Sequence, residues 1–250
     1  NEHEAFQYYQ AIVAENFRDD DNLGTAVSFG IDELQTLTNN ALNNSFIFGN
    51  LDENVRDNYD NTLEKLTKIN IVTIGQTGVG KSTLINNFFS GHLAATGIGV
   101  PVTQRITPLT TPNSPLTIYD TPGFELNNKQ QKEIKKDIIK LIKDGYDTRN
   151  INKYIHCIWY CINTGSGRFV ESDKKFIQEL TKETSMYQVP VFIILTQSYE
   201  KENGRRLKQT IENEHLNIVN IIPIVAEARR NEDSICKAYG LDVLAEAMGN

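Results

Sequence analysis

The sequence predicts an α/β protein: a three-layer fold around a mostly parallel sheet, preceded by a helical N-terminal segment. Three observations carry that expectation. From Ile69 onward, short β-branched runs alternate with charged stretches of helical period. The first of these runs, INIVTIG, passes through a glycine-rich turn into an amphipathic stretch. Ahead of Ile69, residues 1–68 are rich in Asn, Asp and Glu, hold no proline or cysteine, and space their apolar residues by threes and fours.

Within the N-terminal segment, Phe6, Tyr9, Val13 and Phe17 share one helical face, as do Ile31, Leu34, Leu37, Thr38 and Leu42. DDDN (19–22) and FGNLDEN (48–54) read as breaks, and a third helix is expected over about 54–67. The second unit, 69–250, opens with the strand at 69–75. Further strands are expected at LTIYD (116–120), IHCIWYCI (155–162), VPVFIILT (189–196) and IVNIIPIV (218–225). Helical patterns lie between them at 81–90, 129–145, 172–185 and 203–216, with a last one at 234–248. Strand and helix alternating at this spacing imply right-handed crossovers and a sheet covered on both faces.

Composition narrows the function classes. With 250 residues and 39% hydrophobic content the chain can bury a substantial core. A net charge of −7 and a pI near 5.2 argue against broad nucleic-acid binding. The lysine-rich stretch Lys129–Lys143 has acids interleaved and reads as a solvated helix face. Three cysteines make no disulfide framework. On a strand, Cys157 and Cys161 share a face about 13 Å apart, too far to bridge, so buried thiols in a reducing compartment are expected. No apolar stretch approaches the roughly 20 residues of a membrane span, and NEHEAF is no signal peptide. A cytoplasmic chain is expected, with peripheral membrane association left open.

GQTGVGKS (75–82) matches G-x-x-x-x-G-K-[ST] with an apolar strand before it and an amphipathic helix after it. Gly75 and Gly80 let the backbone wrap tightly, so that amides of Gln76, Thr77, Gly78, Val79 and the helix start, through Thr83, face phosphate oxygens. In such a loop Lys81 reaches the β- and γ-phosphates, and the Ser82 hydroxyl coordinates Mg²⁺. A chance glycine-rich turn is the bland alternative, and the flanking strand and helix speak against it. Asp120 ends the next apolar strand in the form D-x-x-G (DTPG). An acid there holds Mg²⁺ through water, and the Gly123 amide bonds the γ-phosphate. Between the motifs, GIGVPVTQRITPLTTP (97–112) is punctuated like a first switch loop. Thr103 is the candidate hydroxyl for Mg²⁺ and for the triphosphate state, Thr107 its competitor.

This arrangement resembles GTPases of the translation-factor-related class with the P-loop nucleotide-binding fold. In that class the base is usually read by N/T-K-x-D after a late core strand. Here the position is TQSY (196–199), followed by Glu200. Thr196 matches, Gln197 replaces the lysine, and Tyr199 stands where the aspartate is expected. The resemblance implies that the Gln197 stem lies on the base, that the carboxylate is displaced to Glu200, and that the Ala226 amide, beside Glu227 in IVAEA (224–228), meets guanine O6. Guanine is the expected base and GTP or GDP the ligand, with Mg²⁺; a purely polar turn at 196–200 is the alternative. Gly78, VTQR, IWYCIN, GRFVESDKKFI (167–177), LTQS and VAE…GLDVL (225–244) together resemble bacterial Era/TrmE-like GTPases. GRF followed by acids is similar to the immunity-associated family, in its septin and chloroplast-import branch. The resemblance covers about 69–248 and leaves 1–68 unmatched.

Phe124 follows Gly123, where many such loops carry a glutamine that orients water. The resemblance to hydrophobic-substituted GTPases implies that water is managed elsewhere, often across a nucleotide-dependent homodimer. The potassium-dependent variant uses an asparagine at the place of Gly78 and is not expected. Arg168 is the candidate for assistance in trans, with a surface pair to Glu171 or Asp173 as the alternative; Arg105 is a second candidate. These readings predict slow Mg²⁺-dependent GTP hydrolysis by a switch that recruits an effector protein. The alternatives are a dynamin- or septin-like assembly scaffold and a P-loop ATPase, the latter disfavoured because no second acid stands beside Asp120. His92, in SGH after the first helix of the second unit, is within reach of a nucleotide but reads better as a surface loop residue; His3, His156 and His215 lack metal-ligand spacing, and Trp159 is expected in the core.

Overall fold

The computed structural model describes residues 67–89, 105–110, 115–124, 128–166, 168–230 and 235–249. The three helices expected before residue 67, Thr103 and His92 lie outside the described residues.

In chain order the elements are β1 (Ile69–Gly75), α1 (Lys81–Phe88), β2 (Thr107–Leu109), β3 (Leu116–Asp120), α2 (Asn128–Asp147), β4 (Cys157–Asn163), α3 (Glu171–Glu183), β5 (Val191–Thr196), α4 (Lys201–Glu212) and β6 (Asn220–Pro223). A small hairpin, β7 (Arg229–Arg230) and β8 (Ile235–Cys236), then leads into α5 (Leu241–Gly249). Six strands form one sheet in the order β2-β3-β1-β4-β5-β6, with β2 antiparallel to β3 and every other pairing parallel.

Alternation along the strands sorts side chains onto two covered faces. Ile71, Cys157, Trp159, Cys161, Phe192 and Ile194 pack with α1 and α5 through Leu84, Ile85, Phe88, Leu241 and Leu244. Val72, Ile74, Ile158, Tyr160, Ile193 and Leu195 pack with α2, α3 and α4 through Ile138, Ile142, Ile177, Leu180, Leu207 and Ile211. Complete burial of a side chain such as Ile71 or Leu84 contributes about 1.5–3 kcal/mol, so this two-faced burial holds the helices against the sheet. Trp159 is fully buried and meets Phe88 edge-on at 4.9 Å, as expected of a core residue. Cys157 and Cys161 are buried, free thiols.

Register aligns the carboxyl ends of the parallel strands. Thr73 stands opposite Asp120, Gly75 opposite Cys161, and Asn163 opposite Thr196. Because β3 lies on one side of β1 and β4 on the other, the crevice beyond Gly75 is a topological switch point, where open α/β sheets bind ligands.

Several expected boundaries move. Strand β5 starts at Val191 rather than residue 189, since Pro190 has no N–H to give to a ladder. The helix expected to 216 ends at Glu212, and His215 beyond it has φ +48. The segment 107–109, read only as part of a switch loop, is an edge strand. The last helix begins at Leu241 instead of 234, because Val225 and Tyr239 exchange main-chain hydrogen bonds (3.1 and 2.9 Å) that fold the intervening chain into the β7–β8 hairpin.

Candidate functional site

The turn between β1 and α1 runs from Gln76 to Gly80, with Gly78 exposed at its outer side. Gly80 enters α1 with φ +96, a left-handed conformation that side chains resist, and α1 has no acidic residue in its first turn. Lys81 is only 7% exposed, and its Nζ donates to the carbonyl oxygens of Gly75 (2.9 Å) and Gln76 (3.1 Å). Burial pulls this ammonium below its ordinary pKa, while the neighbouring Cys161 and Asp120 act in the opposite sense. Ser82 and Thr83 are partly exposed in the first turn of α1.

Asp120 is 3% exposed at the end of β3. Its Oδ1 accepts from Thr73 Oγ1 at 3.4 Å, and Thr121 Oγ1 donates to the Thr73 carbonyl at 2.7 Å, fixing the chain that leads to Gly123. The Thr77 amide donates to Phe124 O at 3.3 Å. A Cβ on Gly123 would fall 2.7 Å from both Cα and Oγ1 of Thr77, so only glycine permits this approach of the two loops. Phe124 is fully buried, stacked on Phe176 at 5.2 Å and tilted against Tyr160. It faces the core, which is why a residue without hydrogen-bonding capacity is tolerated there.

The expected base loop is pinned to the phosphate loop by Thr196, whose Oγ1 donates to the Val79 carbonyl and to Ile162 O (3.1 Å). Gln197 has φ +53 and its Nε2 donates to Gly78 O at 3.5 Å. Glu200 is an exposed residue at the start of α4, Ala226 is partly buried and Glu227 exposed. Sequence reading missed two brackets around this loop. The Arg229 guanidinium lies 5.2 Å from the Tyr199 ring centroid, and Tyr239 Oη donates to Ser198 O at 2.6 Å.

Arg168 is exposed and lines a cavity of about 320 Å³ together with Gln76, Thr77, Gly78, Asn163 and Asp173. Among the described residues it makes no ion pair with Glu171 or Asp173, so the surface-pair alternative is not what the structure holds. Arg105 is exposed elsewhere, on a groove with Tyr119, Pro122 and Asp137. Thr107 Oγ1 donates to Arg105 O at 3.0 Å and is exposed on β2.

From the sequence, Asp173, the third residue of α3, is expected only as a surface partner of Arg168. It is 3% exposed, and its carboxylate accepts from Tyr160 Oη (2.7 Å), Gln76 Nε2 (3.3 Å) and the Val170 amide (3.4 Å). Burial raises its pKa, against the lowering effect of those donors. The pattern V-E-S-D, with an acid three residues past an extended residue, was the available signal.

The residues present fit a polyphosphate with a divalent cation. Thr77 Oγ1 is a buried hydroxyl without a hydrogen-bond partner at the approach of the two loops, in the same turn whose Gly75 and Gln76 carbonyls hold Lys81. Ser82 and Asp120 offer oxygen donors, the set that Mg²⁺ prefers.

A family described as 50S ribosome-binding GTPase matches residues 70–197. Human Septin-9 is 29% identical over 193 residues, covering 67% of this chain and 32% of its own length. The chain therefore spans about a third of that relative. Among solved structures, Toc33 from Arabidopsis thaliana, in a dimerization-deficient mutant, aligns with TM-score 0.51 and 16% identity, covering 76% of this chain and 91% of that one. An Era variant from Aquifex aeolicus bound to GDP.AlF4- aligns with TM-score 0.53 and 22% identity, covering 72% and 55%. At these identities the two structures attest the fold alone.

Proposed function

The chain belongs to the 50S ribosome-binding GTPase family, and on that premise we propose that it binds GTP with Mg²⁺, hydrolyses it slowly and works as a nucleotide-controlled switch. The observation that carries this reading is the joint geometry of the two loops. Lys81 is buried under the turn that precedes α1, Asp120 ends the neighbouring strand, and Gly123 sits against Thr77.

In this reading the amides from Gly78 to Thr83 cradle the phosphates, the Thr77 amide expected among them being held by Phe124 O instead, and Lys81 brings its charge to the β- and γ-phosphates. Mg²⁺ would be held by Ser82, Asp120 and, from outside the described residues, Thr103; it would offset negative charge on the phosphate oxygens. Gly123 carries the third-phosphate signal into its loop. Thr196, Gln197, Glu200, Ala226 and Glu227 form the base side of the site. Phe124 contributes no hydrogen bond to water, so hydrolysis is slow in the isolated chain. Arg168, at the mouth of the cavity beside the phosphate loop, supports the idea that a second copy of the chain speeds the reaction. The effector would be a protein that meets the triphosphate form.

Single-turnover GTP hydrolysis measured across protein concentrations tests this. The rate per molecule is expected to rise with concentration and to plateau; a rate independent of concentration would remove pairing from the account. The likeness to Septin-9 favours a second reading, nucleotide-governed assembly. Light scattering with a non-hydrolysable GTP analogue separates the two, a dimer supporting the switch and large particles the assembly.

A further inference from the structure

Asp173 connects three parts of the molecule through one carboxylate. Its Oδ1 takes the Tyr160 hydroxyl of β4 and the Gln76 amide of the phosphate loop, and its Oδ2 takes the Val170 main-chain N–H. Val170 is two residues past Arg168 and caps the start of α3. One turn later on the same helix, Phe176 stacks on Phe124, which pairs through its main chain with the phosphate loop. Helix α3 is thus fastened to both nucleotide loops, and a short tether separates it from the arginine.

An acid at the third helical position often only caps the helix, and such residues stand in solvent. Asp173 instead is 3% exposed and carries two donors from other elements, which a cap does not require. A buried carboxylate costs desolvation unless donors surround it, so keeping one here has a structural consequence for whatever it holds. Resting on the GTPase reading above, we propose that Asp173 is a positioning residue that locks the Arg168 segment to the phosphate loop, setting the arginine's place relative to bound nucleotide.

The asymmetry of the carboxylate supplies the test. All three partners are donors, and Asn has one acceptor oxygen. Asp173→Asn can keep Oδ1 for Tyr160 and Gln76, but its NH₂ then faces the Val170 N–H and that link is lost. Val170→Pro deletes the same link from the other side, at an extended residue (φ −97°, ψ 156°) that must turn its φ by about 30° to accept the ring. Both variants, Arg168→Ala and the pair Asp173→Asn/Arg168→Ala are made in the full chain. Single-turnover GTP hydrolysis, affinity for a fluorescent GDP and thermal unfolding are measured for each.

Asp173→Asn, Val170→Pro and Arg168→Ala are each expected to slow hydrolysis about tenfold or more, and the pair no further than Arg168→Ala alone. GDP affinity should stay within about twofold for all of them, which a general loosening of the fold would not allow. Multiplicative losses in the pair, or hydrolysis at the wild-type rate in Arg168→Ala or in both link-breaking variants, would overturn the positioning role while leaving the GTPase reading intact. Failure of the wild-type chain to bind or hydrolyse GTP would overturn both.

Discussion

At the residue scale, the site is shaped by single atoms. A methyl group on Gly123 would press into Thr77 backbone and side chain at 2.7–2.9 Å. Gly123→Ala is therefore expected to cost about 1–3 kcal/mol, read from urea unfolding by the fluorescence of the single tryptophan, Trp159, which is fully buried. Phe124 makes a sharper case. Restoring the glutamine common at that position would insert an amide between Phe176 and Tyr160, so Phe124→Gln should lose about 3 kcal/mol or more and hydrolyse GTP no faster than wild type. Faster turnover would show that the loop swings out and that its burial is incidental. His156 sets a pH dependence. Its Nδ1 accepts the Asn70 amide at 2.9 Å while Nε2 is buried, and burial, outweighing the raising effect of main-chain contacts with Ile151 and Asn70, lowers its pKa from 6.5 to about 4. The folded state thus holds it neutral where the unfolded chain protonates it. Stability is full above pH 6.5 and is lost progressively as pH falls toward 4, by up to about 3 kcal/mol. His156→Gln should flatten that slope between pH 7 and 4.5 in urea unfolding followed by Trp159, and an unchanged slope would assign the effect to other groups.

At the element scale, the sequence was most legible where one interaction dominates. INIVTIG reads as a buried strand because both its faces are covered, and the mostly parallel sheet follows from the alternation of strands with helices. GQTGVGKS declares itself because glycine, lysine and serine at that spacing have few other uses. Boundaries set by tertiary pairing were not legible. The hairpin Arg229–Cys236 exists because Val225 and Tyr239 bond across it, a contact between residues fourteen apart that helical periodicity conceals. Helix α3 hid its role similarly: Asp173 is an ordinary acid in V-E-S-D until Tyr160 and Gln76 arrive from other elements. The expected base loop resisted reading in one respect. Thr196 matches the expected pattern and bonds the Val79 carbonyl, whereas the Arg229–Tyr199 contact, at the place of the expected aspartate, needed three dimensions.

At the scale of the whole molecule, two cores lie on opposite faces of one sheet and pack its strands against the helices. We propose that residues 69–250 are a unit in themselves. A chain begun at Thr67 should unfold cooperatively with the buried Trp159 emission intact, and loss of that transition would make residues 1–66 part of the core. Among the described residues no helix is long and apolar enough to cross a membrane. The central claim concerns the base, because the loop 196–200 departs most from the expected pattern there. The most direct test is competition of GTP and ATP, each with Mg²⁺, against a fluorescent GDP bound to the full chain, with Lys81→Ala alongside. GTP is predicted to displace the probe at a concentration about a hundredfold or more below that of ATP, and Lys81→Ala to bind the probe too weakly to measure. Equal displacement by the two nucleotides, or undiminished binding by Lys81→Ala, would contradict the account.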